Sequence, residues 1–213
     1  MKQKGKNTWA DHHTERAKKE GYPARSVYKL DEIQKRFSVI KPGHRVLDLG
    51  CAPGSWLLLA AKLSGPNGRV LGVDKEKVTI SLPPNARTLT ADIFSLDGEA
   101  PEFHGGFDVV LSDMAPATSG VKDLDGLRSV ALAESALVLA DRLLLKDGSF
   151  VCKVFMGQGY EDFVKSVRER YTKVSLLRPK AVRSQSREIY VIAAEKKKPP
   201  GGKAAGPGER ESP

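Results

Sequence analysis

His44-Arg45-Val46-Leu47-Asp48-Leu49-Gly50-Cys51-Ala52-Pro53-Gly54-Ser55-Trp56-Leu57-Leu58-Leu59-Ala60-Ala61-Lys62-Leu63 carries a short apolar run into a glycine-bracketed turn and out into a longer apolar run. HRVLDLG suits a buried strand, and WLLLAAKL suits a helix, ended by Gly65-Pro66 and Gly68. Glycines at 50 and 54 let backbone approach a ligand where a Cβ would clash. A dinucleotide site would read GxGxxG around a pyrophosphate, and this turn reads GCAPGS, which disfavours a nicotinamide cofactor. A rigid proline between two glycines suits a ligand without phosphates. Asp48, an acid at the turn, favours an amino-acid-like moiety with its own ammonium.

Outward from this turn the same alternation continues. ARSVYKLDEIQKRF precedes it, with Val27, Leu30, Ile33 and Phe37 at helical spacing. RVLGVD, ARTLTAD and FDVVLSD follow as strands, then the long helix LRSVALAESALVLADRLL, the strand GSFVCKVF, the helix YEDFVKSVRERY, and the closing strands KVSLLRP and REIYVIAA. Apolar strands separated by helices indicate a parallel sheet covered on both faces. The last two strands have no helix between them, so a hairpin puts one antiparallel strand into the sheet. The expectation is an α/β, Rossmann-like, doubly wound and mostly parallel seven-stranded sheet, with its ligand beyond the carboxyl ends of the strands.

The flanks differ in composition. Residues 1–22 are polar and basic and read as a flexible arm, 23–195 as one folded domain, and 196–213, rich in Pro, Gly and charge, as a disordered tail. A formal net charge of +9 over 213 residues points to a polyanionic partner. The opening MKQKGKNTWADHH has no apolar run, and no stretch is long and apolar enough to span a bilayer. These features imply a cytoplasmic protein without a membrane partner, its cysteines, Cys51 and Cys152, reduced. There is no CxxC pair and no ligand-spaced His/Cys cluster, so no metal is expected; His12 and His13 read as part of a solvated arm. The absence of a long heptad pattern favours a monomer.

Several acids close strands. Asp74 ends RVLGVD, where a carboxylate can accept from both hydroxyls of an adenosine ribose. Asp92, after the third strand, can accept from an adenine amino group. Single strand-end aspartates usually cap or turn the chain, but three at successive strands beside a Gly-flanked turn point to a ligand. Four charged residues then sit in apolar surroundings: Lys29 in SVYKLDEI, Asp113 in VLSDMAP, Lys153 in FVCKVF and Glu188 in SREIYV. Lys153 is the most informative, because a lysine inside a buried strand is costly unless paired or functional. Asp113, ending the neighbouring strand, is a ready partner. Glu188 and Tyr190 share one strand face. Such a group suits transfer of a sulfonium methyl to a ribose hydroxyl. Lys153 would act as base or steer the hydroxyl lone pair, Lys29 would supply a second cation that lowers the pKa of its neighbour, and the two acids would orient the amines.

The segments RSVYKLDEI, DLGCAPGSW, SDMAP, VCKVFMG and SREIYV together resemble the FtsJ/RrmJ family of ribose 2′-O-methyltransferases, from about Arg25 to Ala194. The resemblance implies the class I S-adenosylmethionine-dependent methyltransferase fold and a catalytic tetrad at Lys29, Asp113, Lys153 and Glu188. It implies cofactor contacts at Gly50, Gly54, Ser55, Trp56, Asp74, Asp92 and Asp113. Ser55 departs from the family, where a second glycine is common, and Cys51 stands where a small residue such as alanine is usual. The implied substrate is a uridine of the A-loop of large-subunit ribosomal RNA in the assembled subunit. Arg25, Arg183, Arg187 and Tyr190 are the candidate RNA contacts, Tyr190 by stacking on a base. A tRNA ribose methyltransferase and a non-catalytic ribosome assembly factor with the same fold are the alternatives.

Overall fold

The computed structural model describes residues 8–96, 98–117, 119–183 and 185–197. Seven strands form one sheet in the order β3-β2-β1-β4-β5-β7-β6. They are β1 (Arg45–Leu49), β2 (Arg69–Asp74), β3 (Ala86–Thr90), β4 (Phe107–Ser112), β5 (Leu144–Phe155), β6 (Tyr171–Leu177) and β7 (Glu188–Lys196). All neighbours are parallel except those of β7, which runs antiparallel to both β5 and β6. The order reverses between β1 and β4, so a crevice opens there at the carboxyl ends of the strands.

Both faces of the sheet are covered, as near-continuous apolar strands require. One face packs against α4 (Lys122–Leu143) and α5 (Tyr160–Arg170), with Leu47, Val110, Phe150 and Cys152 pointing that way. The other packs against α2 (Val27–Phe37) and α3 (Ser55–Ser64), with Val46, Val109, Leu111, Val151 and Tyr190 beneath them. Alternation along each strand therefore assigns residues to faces. Lys153 lies directly opposite Tyr190, and Glu188 is two residues from Tyr190, so all three project toward α2. In α2, Val27, Leu30 and Ile33 are buried and Phe37 is half-buried, matching the helical spacing. Cys51 and Cys152 are both buried free thiols, in different cores.

The expected flexible arm is instead helical over its described part. Helix α1 (Thr8–Lys19) buries Ala17 fully among residues of α2 and α3. The Arg16 guanidinium lies 4.8 Å from the Tyr28 ring centroid, His13 packs on the same ring at 5.6 Å, and the Tyr28 hydroxyl donates to Glu20. One small apolar anchor and one tyrosine hold a helix whose composition resembles disorder. At the other end, Lys196 still belongs to β7 and Lys197 N donates to the Arg170 carbonyl, so the folded region runs two residues past the expected boundary. The rest of the expected tail, residues 198–213, and residues 1–7 lie outside the described residues. No helix among the described residues is long and apolar enough to cross a membrane.

Candidate active site

Beyond the carboxyl ends of β4 and β5 the four charged residues meet as two ion pairs. Asp113 follows β4 directly, and the pairing of Ser112 with Cys152 brings it beside Lys153 of β5. Lys153 Nζ lies 3.0 Å from Asp113 Oδ1 and donates to the Asp113 carbonyl at 2.5 Å. Lys29, one turn into α2, reaches down to Glu188 Oε1 at 2.6 Å. Tyr190 ties the pairs together: its hydroxyl donates to Asp113 Oδ1, and Lys29 Nζ lies 5.9 Å from its ring centroid. Side-chain exposures of 5% for Lys153 and 13–14% for the other three leave a narrow opening to solvent.

Electrostatics follow from this packing. Burial pushes the Asp113 carboxyl up, but the charges of Lys153 and Lys29 and the Tyr190 hydroxyl outweigh it and hold the group below the usual carboxylate range. The Tyr190 hydroxyl is pushed well up by burial and by the negative charges of Asp113 and Glu188, so it stays a donor. Ion pairs this buried cost desolvation that their attraction barely repays, which makes them weak devices for stability and suits them to chemistry.

Next to the tetrad lies a cavity of about 510 Å³, lined among others by Gly50, Ala52, Asp74, Asp92, Phe94 and Asp113. Gly50 (φ 78°) is its pinch point: a Cβ there would lie 2.4 Å from Met114 Cγ and 3.2 Å from Met114 Cα. Asp74 accepts from Ala52 N and Glu76 N, both at 2.9 Å, which fixes the carboxylate and leaves acceptor capacity on both oxygens. Asp92 Oδ1 caps the short 3-10 turn 93–95 through Phe94 N at 3.0 Å, while the residue also lines the cavity. At this position the turn-capping and ligand-facing roles coincide. Phe94, 63% exposed, and Arg128 of α4 complete the rim and were not singled out from sequence; an aromatic residue two positions after Asp92 was the available signal.

A cavity with an apolar wall, a Cβ-free pinch point and carboxylates at successive strand ends fits an adenosyl amino acid. Asp48 adds an orphaned pair of buried oxygens behind the same turn. The FtsJ-like methyltransferase family model matches residues 22–196. The chain belongs to the FtsJ-like methyltransferase family. A Desulfatibacillum aliphaticivorans protein named ribosomal RNA large subunit methyltransferase E is 51% identical over 92% of this chain and 95% of its own length. A Desulforapulum autotrophicum protein of the same name is 54% identical over 90% of this chain and 95% of its own. Among solved structures, a Plasmodium falciparum chain described as a ribosomal RNA methyltransferase superposes with a TM-score of 0.72 at 25% identity, covering 82% of this chain and 98% of that one.

Within this FtsJ-like methyltransferase several expected contacts are turned elsewhere. Ser55 Oγ bonds the backbone of Ala24, accepting from its N at 2.8 Å and donating to its O at 3.0 Å. The Trp56 indole donates to Ser26 O at 2.8 Å and packs on Tyr190 with ring centroids 5.7 Å apart. Both side chains therefore anchor the entry to α2, and so Lys29, instead of lining the cavity. The reason is local: they open α3, whose buried face meets α2. Gly54 (φ 113°) also lies off the cavity, where a Cβ would strike Ile80 Cδ1 at 2.5 Å. Asp48 is fully buried inside β1 and does not reach the cavity lining; burial, then the charges of Asp113 and Asp74, push its carboxyl well up.

The RNA-contact candidates divide similarly. Tyr190 is fully buried because β7 enters between β5 and β6, so it cannot stack on a base. Arg187 is half-buried and donates to the Lys122 carbonyl at the start of α4. Arg183 is exposed, and Arg25 is half-buried near it, its guanidinium pKa lowered by burial and by Arg183 despite Glu188.

Proposed function

We propose that this FtsJ-like methyltransferase moves the methyl group of S-adenosylmethionine to a ribose 2′-hydroxyl of large-subunit ribosomal RNA, at a uridine of the A-loop in the assembled subunit. The observation that supports it most is the meeting of Lys29, Asp113, Lys153 and Glu188 beside the Gly50–Asp74–Asp92 cavity. The bound cofactor supplies an electrophilic sulfonium methyl. Asp74 would take the hydroxyls of its ribose, Asp92 the adenine amino group, and the Gly50 turn its amino-acid end.

Lys153 Nζ, fixed by the carboxylate and carbonyl of the cavity-lining Asp113, would hold the acceptor hydroxyl as an ammonium or, in its neutral form, receive the hydroxyl proton. Lys29, braced by Glu188, adds a positive field at the same place. Fixing the hydroxyl against the methyl supplies a large share of the acceleration. Exposed Arg183 and neighbouring Arg25 would meet RNA phosphates at this mouth. We further propose that the protein works as a monomer in the cytoplasm.

Mapping 2′-O-methyl marks on ribosomal RNA and tRNA from cells lacking the protein tests this reading. Loss of one A-loop uridine mark is the expected result. Loss confined to tRNA would move the substrate there, and an unchanged map would leave the assembly-factor reading.

A further inference from the structure

A second cavity, about 590 Å³, opens at the opposite end of the sheet, where β1, β2, β3 and β4 begin. Its lining carries Arg45, Lys62, Arg69 and Arg87 against one acid, Glu102. Arg45 is a fixed wall: it donates to His104 O and lies 5.3 Å from the Phe107 ring centroid. Lys62, Arg69 and Arg87 are exposed, and none has a carboxylate within salt-bridge distance among the described residues. Arg87 makes only a long 3.5 Å contact to the Glu102 carbonyl. The carboxyl end of α3 also points here and would repel an anion, but Asn85 Nδ2 covers the Ala61 and Gly65 carbonyls at 2.9 Å each. Asp108, the other nearby acid, accepts from Arg45 N. The cleft is therefore concave and cationic on balance, four basic side chains facing one lining carboxylate.

We propose that this cleft binds the phosphate backbone of the RNA substrate at a point remote from methyl transfer. The proposal rests on the ribosomal-RNA reading above. Strands of five or six residues separate the two cavities by roughly 15–20 Å. A polynucleotide is long enough to occupy both, and it would pass the edge strand β3, whose residues are mostly exposed. Three point charges without carboxylate partners suit sequence-independent phosphate contact, which positions a large substrate without reading its bases.

The test compares wild type with Lys62→Gln/Arg69→Gln/Arg87→Gln on large-subunit RNA particles that lack the methyl mark. Expected are a KM about ten-fold higher, an unchanged kcat, and a flatter dependence of log affinity on log salt by about 2, as three lost phosphate contacts require. Calorimetric S-adenosylmethionine affinity, which should not move, reports folding. The charge-keeping Lys62→Arg/Arg69→Lys/Arg87→Lys variant should stay within about two-fold of wild type, since phosphates read charge here. Unchanged KM and salt slope in the Gln variant overturn the proposal while the wild-type enzyme's activity still supports the substrate reading. Equal losses in both variants also overturn it, because charge would then not be the cause. A wild type inactive on these particles removes the substrate reading itself, and this proposal with it.

Discussion

Asp48 and Asp113 stand on or at the end of adjacent strands, face the same side of the sheet, and are driven in opposite directions. Asp48 pairs in register with Leu111, two residues before Asp113. Asp48 is fully buried with no hydrogen-bond partner for either oxygen among the described residues, and its pKa is pushed well up. Asp113, also largely buried, receives Lys153, Lys29 and the Tyr190 hydroxyl, and its pKa falls. Burial alone favours the neutral acid at both positions. The two amines decide which carboxyl carries charge, and they do so where substrate can enter.

Removing the amine that distinguishes the two should have the largest effect. Lys153→Ala leaves Asp113 buried without its main partner, so it should come to resemble Asp48. Methyl transfer should fall by about 10²–10⁴, the range for a positioned acid–base group, and stability by about 3–5 kcal/mol, as for a broken buried pair. Single-turnover transfer and chemical denaturation measure these, and calorimetry should find cofactor affinity nearly intact. Full activity in this variant would separate the ion pair from the chemistry.

A smaller change sharpens the contrast without touching the amines. Tyr190→Phe keeps the ring against Trp56 and Lys29 but removes the donor to Asp113. A hydrogen bond to a charged group contributes about 1.5–3 kcal/mol, so transfer should slow by about ten-fold or more. An unchanged rate and melting temperature would mean that the lysines alone set the state of Asp113.

The other half of the comparison is visible in pH. The Asp48 pKa is raised in the folded protein, so its contribution to stability is fully present below the unfolded value and is lost as pH rises from there toward the folded value. For Asp113 the folded value is depressed, so its contribution is present above the unfolded pKa and is lost as pH falls through the folded one. Asp48→Asn should therefore gain on wild type as pH rises above about 4, by at most about 1.4 kcal/mol per pH unit. Denaturation between pH 4 and 8 reads the difference, and a flat difference across that range would show Asp48 titrating like an ordinary exposed acid.

Lys153, with Asp113 as its partner, is legible in sequence because a lysine inside FVCKVF is expensive, whereas Lys29 and Glu188 read singly as surface charges and join them only through the family resemblance. Strand alternation likewise places Glu188 and Tyr190 on one face. Tyr190's burial is not legible, since it depends on β7 inserting between β5 and β6, a choice made by non-local pairing. Both glycines of the turn stand where a Cβ would clash, but with protein side chains: Gly50 faces Met114 and the cavity while Gly54 faces Ile80, a distinction set by which segment packs across each. Helix α1 is hidden because its seat is one alanine and one tyrosine ring, too little apolar surface to show as a periodic pattern.

Ser55 gives the finest probe, because it reaches Asp113 through the entry to α2 and Lys29, whereas Trp56 also packs on Tyr190. Ser55 is one of the turn's two departures from the family pattern, and its hydroxyl makes two bonds to Ala24. Ser55→Ala breaks both while leaving the Gly50 cavity untouched, and two partly buried bonds of this kind contribute about 1 kcal/mol each. The segment leading into α2 should loosen, the Lys29 ammonium should spend less time on Glu188, and Asp113 should lose part of its second cation. Transfer should slow by a few-fold at unchanged S-adenosylmethionine affinity. Ser55→Thr, which keeps the hydroxyl, should restore the rate. If Ser55→Ala weakened cofactor binding and left the chemical step alone, Ser55 would belong to the cavity after all, and the state of Asp113 would owe nothing to the turn that opens α3.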